Sequence, residues 1–420
     1  MKSAKILVAV GLLVAGAGMV SPSAASAASP QAPSSAGSIG GLLATLQTPA
    51  GAGEFGHSVA VSGNTAVVGA PFTSVGSQTA AGTVYIYTKR STGWRTQPIA
   101  TLDDPPGLAN DNFGISVAIS GNTIVVGASG LSLPPGDAGA VYVYTKGAEG
   151  WPTAPTVTLP NPHASGGPEN TDMFGNSVAI SGGTIVVGAP GDNSPSAAYI
   201  YAEGSAGWPT APTVTLPVPG AVSDDLFGAW TAVSGGTVVI GAPGASKSLG
   251  AAYIYTRGTA GWPTNPSVSL ANPRAPHGTG FGTSVAVAGR TMLIGAHRYG
   301  TDGEGPVYIY TEGTAGWPTS PIVKLQDPLP GSHDGFGDAV AVSGGITVLG
   351  AFNATTSHSG LAPGRAWIYG RATAGWPKSP TVTLDPSGVG FGNAVGVQGT
   401  TAIIGALNGG VGGVVRIYRV

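Results

Sequence analysis

A Phe-Gly dipeptide recurs seven times along the chain, at Phe55, Phe113, Phe174, Phe227, Phe281, Phe336 and Phe391, at intervals of 53 to 61 residues. Gly-Ala follows each Phe fourteen residues later, at Gly69, Gly127, Gly188, Gly241, Gly295, Gly350 and Gly405. An aromatic segment comes next, such as Tyr85-Ile86-Tyr87 or Tyr199-Ile200-Tyr201, and twelve of the thirteen tyrosines fall in it. Fixed self-similarity at this period means one small unit repeated and packed against its own copies.

Each repeat reads as four strands. Strand a is the run after Phe-Gly, such as Ser58 to Ser62, and a two-residue turn led by Gly63 or Gly121 suits a tight hairpin. Strand b is the Val-rich run ending in Gly-Ala, for example Thr123 to Ala128. Strand c is the tyrosine segment, and strand d is short, as in Val157-Thr158-Leu159. A Trp-Pro-x-x-Pro segment such as Trp151 to Pro155 precedes d in most repeats, and proline suits an outer edge because it removes backbone donors. Strands a, b and c occur seven times, whereas d follows only six of them, since the chain stops at Val420. The missing d stands at the front, Leu42 to Leu46. An N-terminal strand that completes the last unit closes a ring and leaves no open edge. The expected fold is all-β, a seven-bladed β-propeller with four-stranded blades.

The Phe-Gly, Val-Val-Gly-Ala-Pro and Tyr-Ile-Tyr pattern resembles the FG-GAP repeats of integrin α-subunit propellers and their bacterial relatives, over residues 42–420. The resemblance implies a propeller that recognises protein. Integrin-type repeats often hold calcium in an Asp-rich loop between strands a and b; here that connection is a short Ser-Gly-Asn-Thr type of turn with no acidic residue in any copy. Calcium takes six or more oxygen ligands, so no metal site and no cofactor is expected.

Length alone would suggest two or three domains for 420 residues, but 71 Gly and 35 Pro punctuating regular apolar runs fit many short strands of one repeating body. A net charge of −2 gives no bulk attraction to nucleic acid, and the absence of cysteine excludes disulfides and thiolate chemistry. Lys2 and Lys5, the apolar run Ile6 to Val20 and the small triplet Ala25-Ser26-Ala27 read as a signal peptide over residues 1–27, followed by a flexible linker over 28–41. The mature protein is expected to be secreted and monomeric, without membrane insertion.

Strand alternation puts the d–a and b–c connections at one end of the ring, the top, and the a–b and c–d connections at the bottom. The bottom connections are nearly uniform and the top ones vary, which makes the top the candidate working surface. Fifteen acidic residues against four basic ones are assigned to the top, and three against eight to the bottom. Candidate ligand-binding residues are Asp111, Asp172, Asp225 and Asp334, each two residues before the Phe, and Trp230, which breaks the repeat at the start of a strand a. The same register in four repeats also suits a backbone-capping role for the aspartates. Six Gly-Trp residues, Trp94, Trp151, Trp208, Trp262, Trp317 and Trp376, could stack on sugars or pack between blade and hairpin. The histidines form no i, i+4 metal pair, and no G-x-S-x-G elbow is present. The leading expectation is a non-catalytic binding or adhesion scaffold for an extracellular protein or polysaccharide. A lectin-like propeller is the alternative, and a hydrolase or lyase with carboxylates at the channel mouth is the second alternative.

Overall fold

The computed structural model describes residues 38–130, 139–163, 172–191, 196–220, 225–274, 280–297, 305–329, 335–352, 364–384, 389–407 and 412–420. They form seven antiparallel blades arranged as a ring. Blade 2 shows the pattern: strand a Ser116–Ser120, b Thr123–Ala128, c Ala140–Thr145 and d Val157–Pro160 pair in sequence order. Blade 1 adds a two-residue strand, Gly93–Trp94, which lengthens its c–d hairpin against Lys89 and Arg90. In blade 7 the strands Phe391–Gln398, Thr401–Leu407 and Gly413–Arg419 are completed by Leu42–Gln47 from the front of the chain, with Leu46 opposite Val415. The expected closure is thus present, with a register shift between Leu42 and Ala44.

Strands b and c are buried along nearly their whole length because a neighbouring blade covers each face. Hence they read as continuous apolar runs rather than alternating ones. Phe227, Tyr253, Tyr255 and Trp262 of blade 4 pack with Val186, Ile200 and Leu216 of blade 3, and equivalent clusters fill the other junctions. In blades 1 to 6 the repeat Phe packs against the first aromatic residue of its own strand c, edge-on in all but blade 4, where the rings are tilted. Centroids are 5.6 Å apart for Phe55 and Tyr85, 5.5 Å for Phe113 and Tyr142, and 5.1 Å for Phe336 and Trp367. In blade 7 that place belongs to Arg416, whose guanidinium lies 5.7 Å from the centre of the Phe391 ring. Trp367, which departs from the tyrosine pattern in the sequence, therefore does a tyrosine's packing work.

Two glycines set the distance between blades. The Phe-Gly glycine donates its N–H to the Gly-Ala glycine of its own blade, as Gly114 does to Gly127 at 2.9 Å and Gly175 to Gly188 at 3.1 Å. Its carbonyl meanwhile abuts the Gly-Ala glycine of the preceding blade. A Cβ on Gly127 would stand 2.0 Å from the Gly175 oxygen, and one on Gly405 would stand 2.1 Å from that of Gly56, so the last junction repeats the geometry of the others. In four blades a serine hydroxyl clamps this contact: Ser58, Ser116, Ser177 and Ser284 donate to the carbonyls of Gly114, Gly175, Gly228 and Gly337.

At the bottom a second set of bonds joins the blades. The oxygens of Ser62, Ser120, Ser181, Ser234 and Ser343 accept the N–H of the next blade's turn glycine. The Gln398 side chain accepts that of Gly63 and makes the same link from blade 7 to blade 1, while blade 5 has Ala288 at the serine's place. Within every blade a residue at the bottom end of strand c or just after it, from Lys89 in blade 1 to Val420 in blade 7, donates its N–H to the a–b turn.

Candidate binding face

The two ends of the ring differ in how far the repeat constrains them. All seven a–b turns have two residues, and the c–d connections of blades 2 to 6 have eleven each. At the top, the b–c connection ranges from five residues, between Leu407 and Gly413, to thirteen, between Ala351 and Arg365. Backbone strain follows the same division. Among the described residues, the non-glycine residues with left-handed φ are Glu54, Ala80, Asn110, Asn112, Met173, Leu226, Ser246, Lys247 and Ser248, and every one lies in a top connection. Glu54, Asn112, Met173 and Leu226 hold one shared place, immediately before the repeat Phe, with φ between 52° and 55°; glycine fills it in blades 5 to 7. Side chains resist this conformation, so it persists only where surrounding contacts impose it.

Asp111, Asp172 and Asp225 sit one residue earlier and are buried, each 4% exposed. Their backbone carbonyls accept N–H bonds from Gly130, Gly191 and Gly244 at 3.0 to 3.1 Å. The d–a connection is thereby tied to the b–c connection in three successive blades. Asp334 lies outside the described residues. The Asp172 carboxylate also accepts from Asn161 Nδ2 at 3.0 Å, and His163 Nδ1 stands 3.8 Å away. Burial pushes the Tyr199 hydroxyl beneath it up to about 12, with the Asp172 charge adding to the effect.

Blade 2 carries a different pair at the same place. Asp104 takes the position of Asn161, so Asp104 and Asp111, both buried, face each other and share a side-chain hydrogen bond. Such a bond needs a proton between two carboxyls. Asp104 Oδ2 accepts from Leu108 N–H at 3.0 Å, while its Oδ1 is buried without a hydrogen-bond partner. Burial raises the Asp104 carboxyl above its ordinary range, against the lowering by Leu108, Asp111 and Gly107.

Two histidine pairs also lie at the top. His57 Nδ1 is 3.0 Å from Glu54 Oε2. His297 replaces the proline of the Gly-Ala-Pro motif; its Nε2 is 3.7 Å from Asp338 Oδ1 of the next blade, and burial lowers its pKa to about 4. Neither pair was singled out from the sequence. Aligning the seven repeats exposes the substituted positions, but only the structure shows which residues of adjacent blades meet.

Trp230 is half-buried and begins strand a of blade 4, at the place where blades 1, 2, 3 and 5 have the clamping serine. It packs against the cluster between blades 4 and 5, filling the junction that a serine would otherwise tie. Trp94, Trp208, Trp262, Trp317 and Trp376 are 6 to 8% exposed, and Trp151 is half-buried. Trp317 Nε1 donates to Thr237 Oγ1 of the preceding blade at 3.4 Å. These rings are occupied in joining hairpins to blades.

Of the fifteen acidic residues assigned to the top, Asp137, Glu169, Asp192, Asp224, Asp302, Glu304, Asp334 and Asp385 lie outside the described residues. Among the described ones, Asp104, Asp111, Asp172 and Asp225 are internal, and Asp103 is exposed. Between blades 7 and 1 the top opens into a recess of about 440 Å³, lined by residues 48–53, Phe72, Ser74 and Gly412. Its walls are small and carry no ionised side chain. Among the described residues no three His, Asp or Glu side chains gather as a metal site requires, and no helix is long and apolar enough to cross a membrane.

Comparison with protein families finds FG-GAP repeats at residues 49–87, 97–144, 164–201 and 275–310. These windows cover the Phe-Gly to tyrosine core of blades 1, 2, 3 and 5, the four blades that keep the clamping serine. No curated protein matches the chain. With the family pattern in four blades and the same glycine contacts and antiparallel pairing carried through the other three, the chain is a seven-bladed propeller that contains FG-GAP repeats.

Proposed function

We propose that this propeller is an exported, non-catalytic binding scaffold that takes an extracellular partner, a surface protein, on its top connections. The observation that carries the reading is the asymmetry of the ends: the a–b turns and the c–d connections of blades 2 to 6 keep one length each at the bottom, whereas the b–c connections at the top range from five to thirteen residues. A rigid frame under loops of varied length is the usual arrangement for recognition. The left-handed residues of those connections support it further, since strain held by a scaffold concentrates where a surface must keep one shape. The apolar N-terminal run and small-residue triplet support export. The buried hairpin tryptophans leave little exposed aromatic surface for stacking on sugars.

The test uses the chain from Ala28 onward, immobilised and offered both a cell-surface protein fraction and a glycan array, with calcium or with chelator. Saturable protein capture is expected in both conditions. It should be lost when the connection 71–82 of blade 1 is replaced by residues 190–196 of blade 3, and kept in Arg257→Gln at the bottom. Saturable sugar binding with no protein capture would overturn the reading in favour of a lectin.

A further inference from the structure

The a–b and c–d connections all lie among the described residues, and their charge is not evenly spread. Around blades 2, 3 and 4 the cations Lys146 and Arg257 are matched by Glu149 and Glu203. Those two cations also lie over their own hairpin tryptophans, 5.8 Å from the Trp151 ring and 6.0 Å from that of Trp262. Blades 6, 7 and 1 differ. Arg371 and Lys378 of blade 6, Arg419 of blade 7, and Arg90 and Arg95 of blade 1 are exposed, and Lys89 is half-buried beside them. No Asp or Glu occurs in the turns or hairpins of that arc.

The same arc carries exposed aliphatic side chains. Ile39 is 45% exposed, Leu42 42% and Ile99 40%, whereas no large hydrophobic residue is exposed on the bottom of blades 2 to 4. Backbone bonds hold these groups together. Gly40 donates to Arg419 O at 2.8 Å and Arg419 donates to Gly41 O at 2.9 Å, which fixes Ile39 and Leu42 beside the Arg419 cation. Gly40 packs on Val382 of blade 6, and the strand Leu42–Gln47 runs alongside Gly93–Trp94 of the blade 1 hairpin. The result is one continuous surface over three blades, cationic and aliphatic, on a chain whose net charge of −2 conceals it.

We propose that this arc seats the propeller on an anionic phospholipid surface, peripherally and without insertion, leaving the top connections pointing away from the bilayer. Arginine and lysine attract anionic headgroups, and their aliphatic stems lie along apolar surface while the charge stays in water. Ile39, Leu42 and Ile99 supply the apolar contact that a headgroup layer accepts and that a hydrophilic polyanion would leave in water. The attraction is between exposed charges, so it weakens with salt.

The experiment is co-sedimentation of the chain from Ala28 onward, which contains every strand of the closed ring, with two kinds of vesicle. One is phosphatidylcholine, the other a phosphatidylcholine–phosphatidylglycerol mixture. Binding to the mixture alone is expected. It should fall about tenfold or more in the variant Arg90→Gln, Arg95→Gln, Arg371→Gln, Lys378→Gln, and persist in Lys146→Gln, Arg257→Gln. Ile39→Ser with Ile99→Ser should weaken it at salt concentrations that screen the charges. Thermal unfolding of each variant confirms that the ring is intact, and Arg90→Gln with Arg95→Gln serves alone if the larger set is not. Equal binding to both vesicles, binding to neither, or undiminished binding by the arginine variants overturns the proposal. So does binding that a soluble anionic polysaccharide displaces while the isoleucine variants behave as wild type, which would assign the arc to a polyanion chain.

Discussion

Asp104 and Asn161 occupy the same place in adjacent blades, and the difference of one atom type changes what each must do with a buried aspartate. Asn161 donates its amide to Asp172. An ionised Asp104 would have no proton to give, so the blade 2 pair either holds an added proton or faces like charge against like in a buried setting. The folded-state pKa of Asp104 is raised above its unfolded value of about 4. The folded chain therefore binds more protons than the unfolded one as pH rises through this window, and stability falls. Asp104→Asn removes that loss and copies the blade 3 pair. It should stabilise the protein by about 1 kcal/mol near pH 7, with the gain vanishing below about pH 4, as measured by urea unfolding at both pH values. An equal gain at both would mean that packing, and not the proton, separates the two residues. The recurring aspartates were legible in the sequence as one register, with a structural role open beside a binding one. Their partners were not legible, because Asp104 and Asn161 reach them across loops of different length that carry no repeat.

At the scale of the strand and its turn, legibility was high for a physical reason. Each blade is covered on both faces, so its b and c strands are unbroken apolar runs, and the punctuating glycines are demanded by contact. Gly127 is close enough to Gly175 that a methyl group would overlap backbone oxygen, which cannot swing aside as a side chain would. The sequence showed the Gly-Ala repeat but not that this glycine meets the Phe-Gly of the next unit, since spacing along the chain does not say which neighbour is touched. Gly127→Ala should cost about 3 kcal/mol by forcing the junction of blades 2 and 3 apart. Gly147 in the blade 2 hairpin has open space around it, and Ala372 stands at its equivalent in blade 6. Gly147→Ala should stay within about 0.5 kcal/mol of wild type. Thermal and urea unfolding of the two variants side by side measure the difference; similar losses would mean that glycine is needed for turn flexibility and not for blade approach.

A ring of blades that touch only their neighbours has no central core to rescue a failed junction, so the last contact matters as much as any other. The strand count located that contact in the sequence: six d strands followed their repeats and a seventh preceded them. What the count could not give was how firmly the front of the chain is held. Leu46 is fully buried opposite Val415, as Leu159 is opposite Val141 in blade 2, although Leu46 lies hundreds of residues from its partner in sequence and Leu159 lies within its own repeat. The closure is reinforced by the Gly56 and Gly405 approach, by Asn393 Nδ2 donating to His57 O at 3.0 Å and by the bond from Gly63 to Gln398. If these make blade 7 an ordinary blade, Leu46→Ala and Leu159→Ala remove equivalent packing and should each cost about 2 to 5 kcal/mol, in one cooperative transition. If the front strand instead frays from the ring in solution, Leu46 is already exposed part of the time. Leu46→Ala would then cost far less than Leu159→Ala, and amide exchange over Leu42–Gln47 would run ahead of exchange over Val157–Pro160. We expect equal losses and matched exchange.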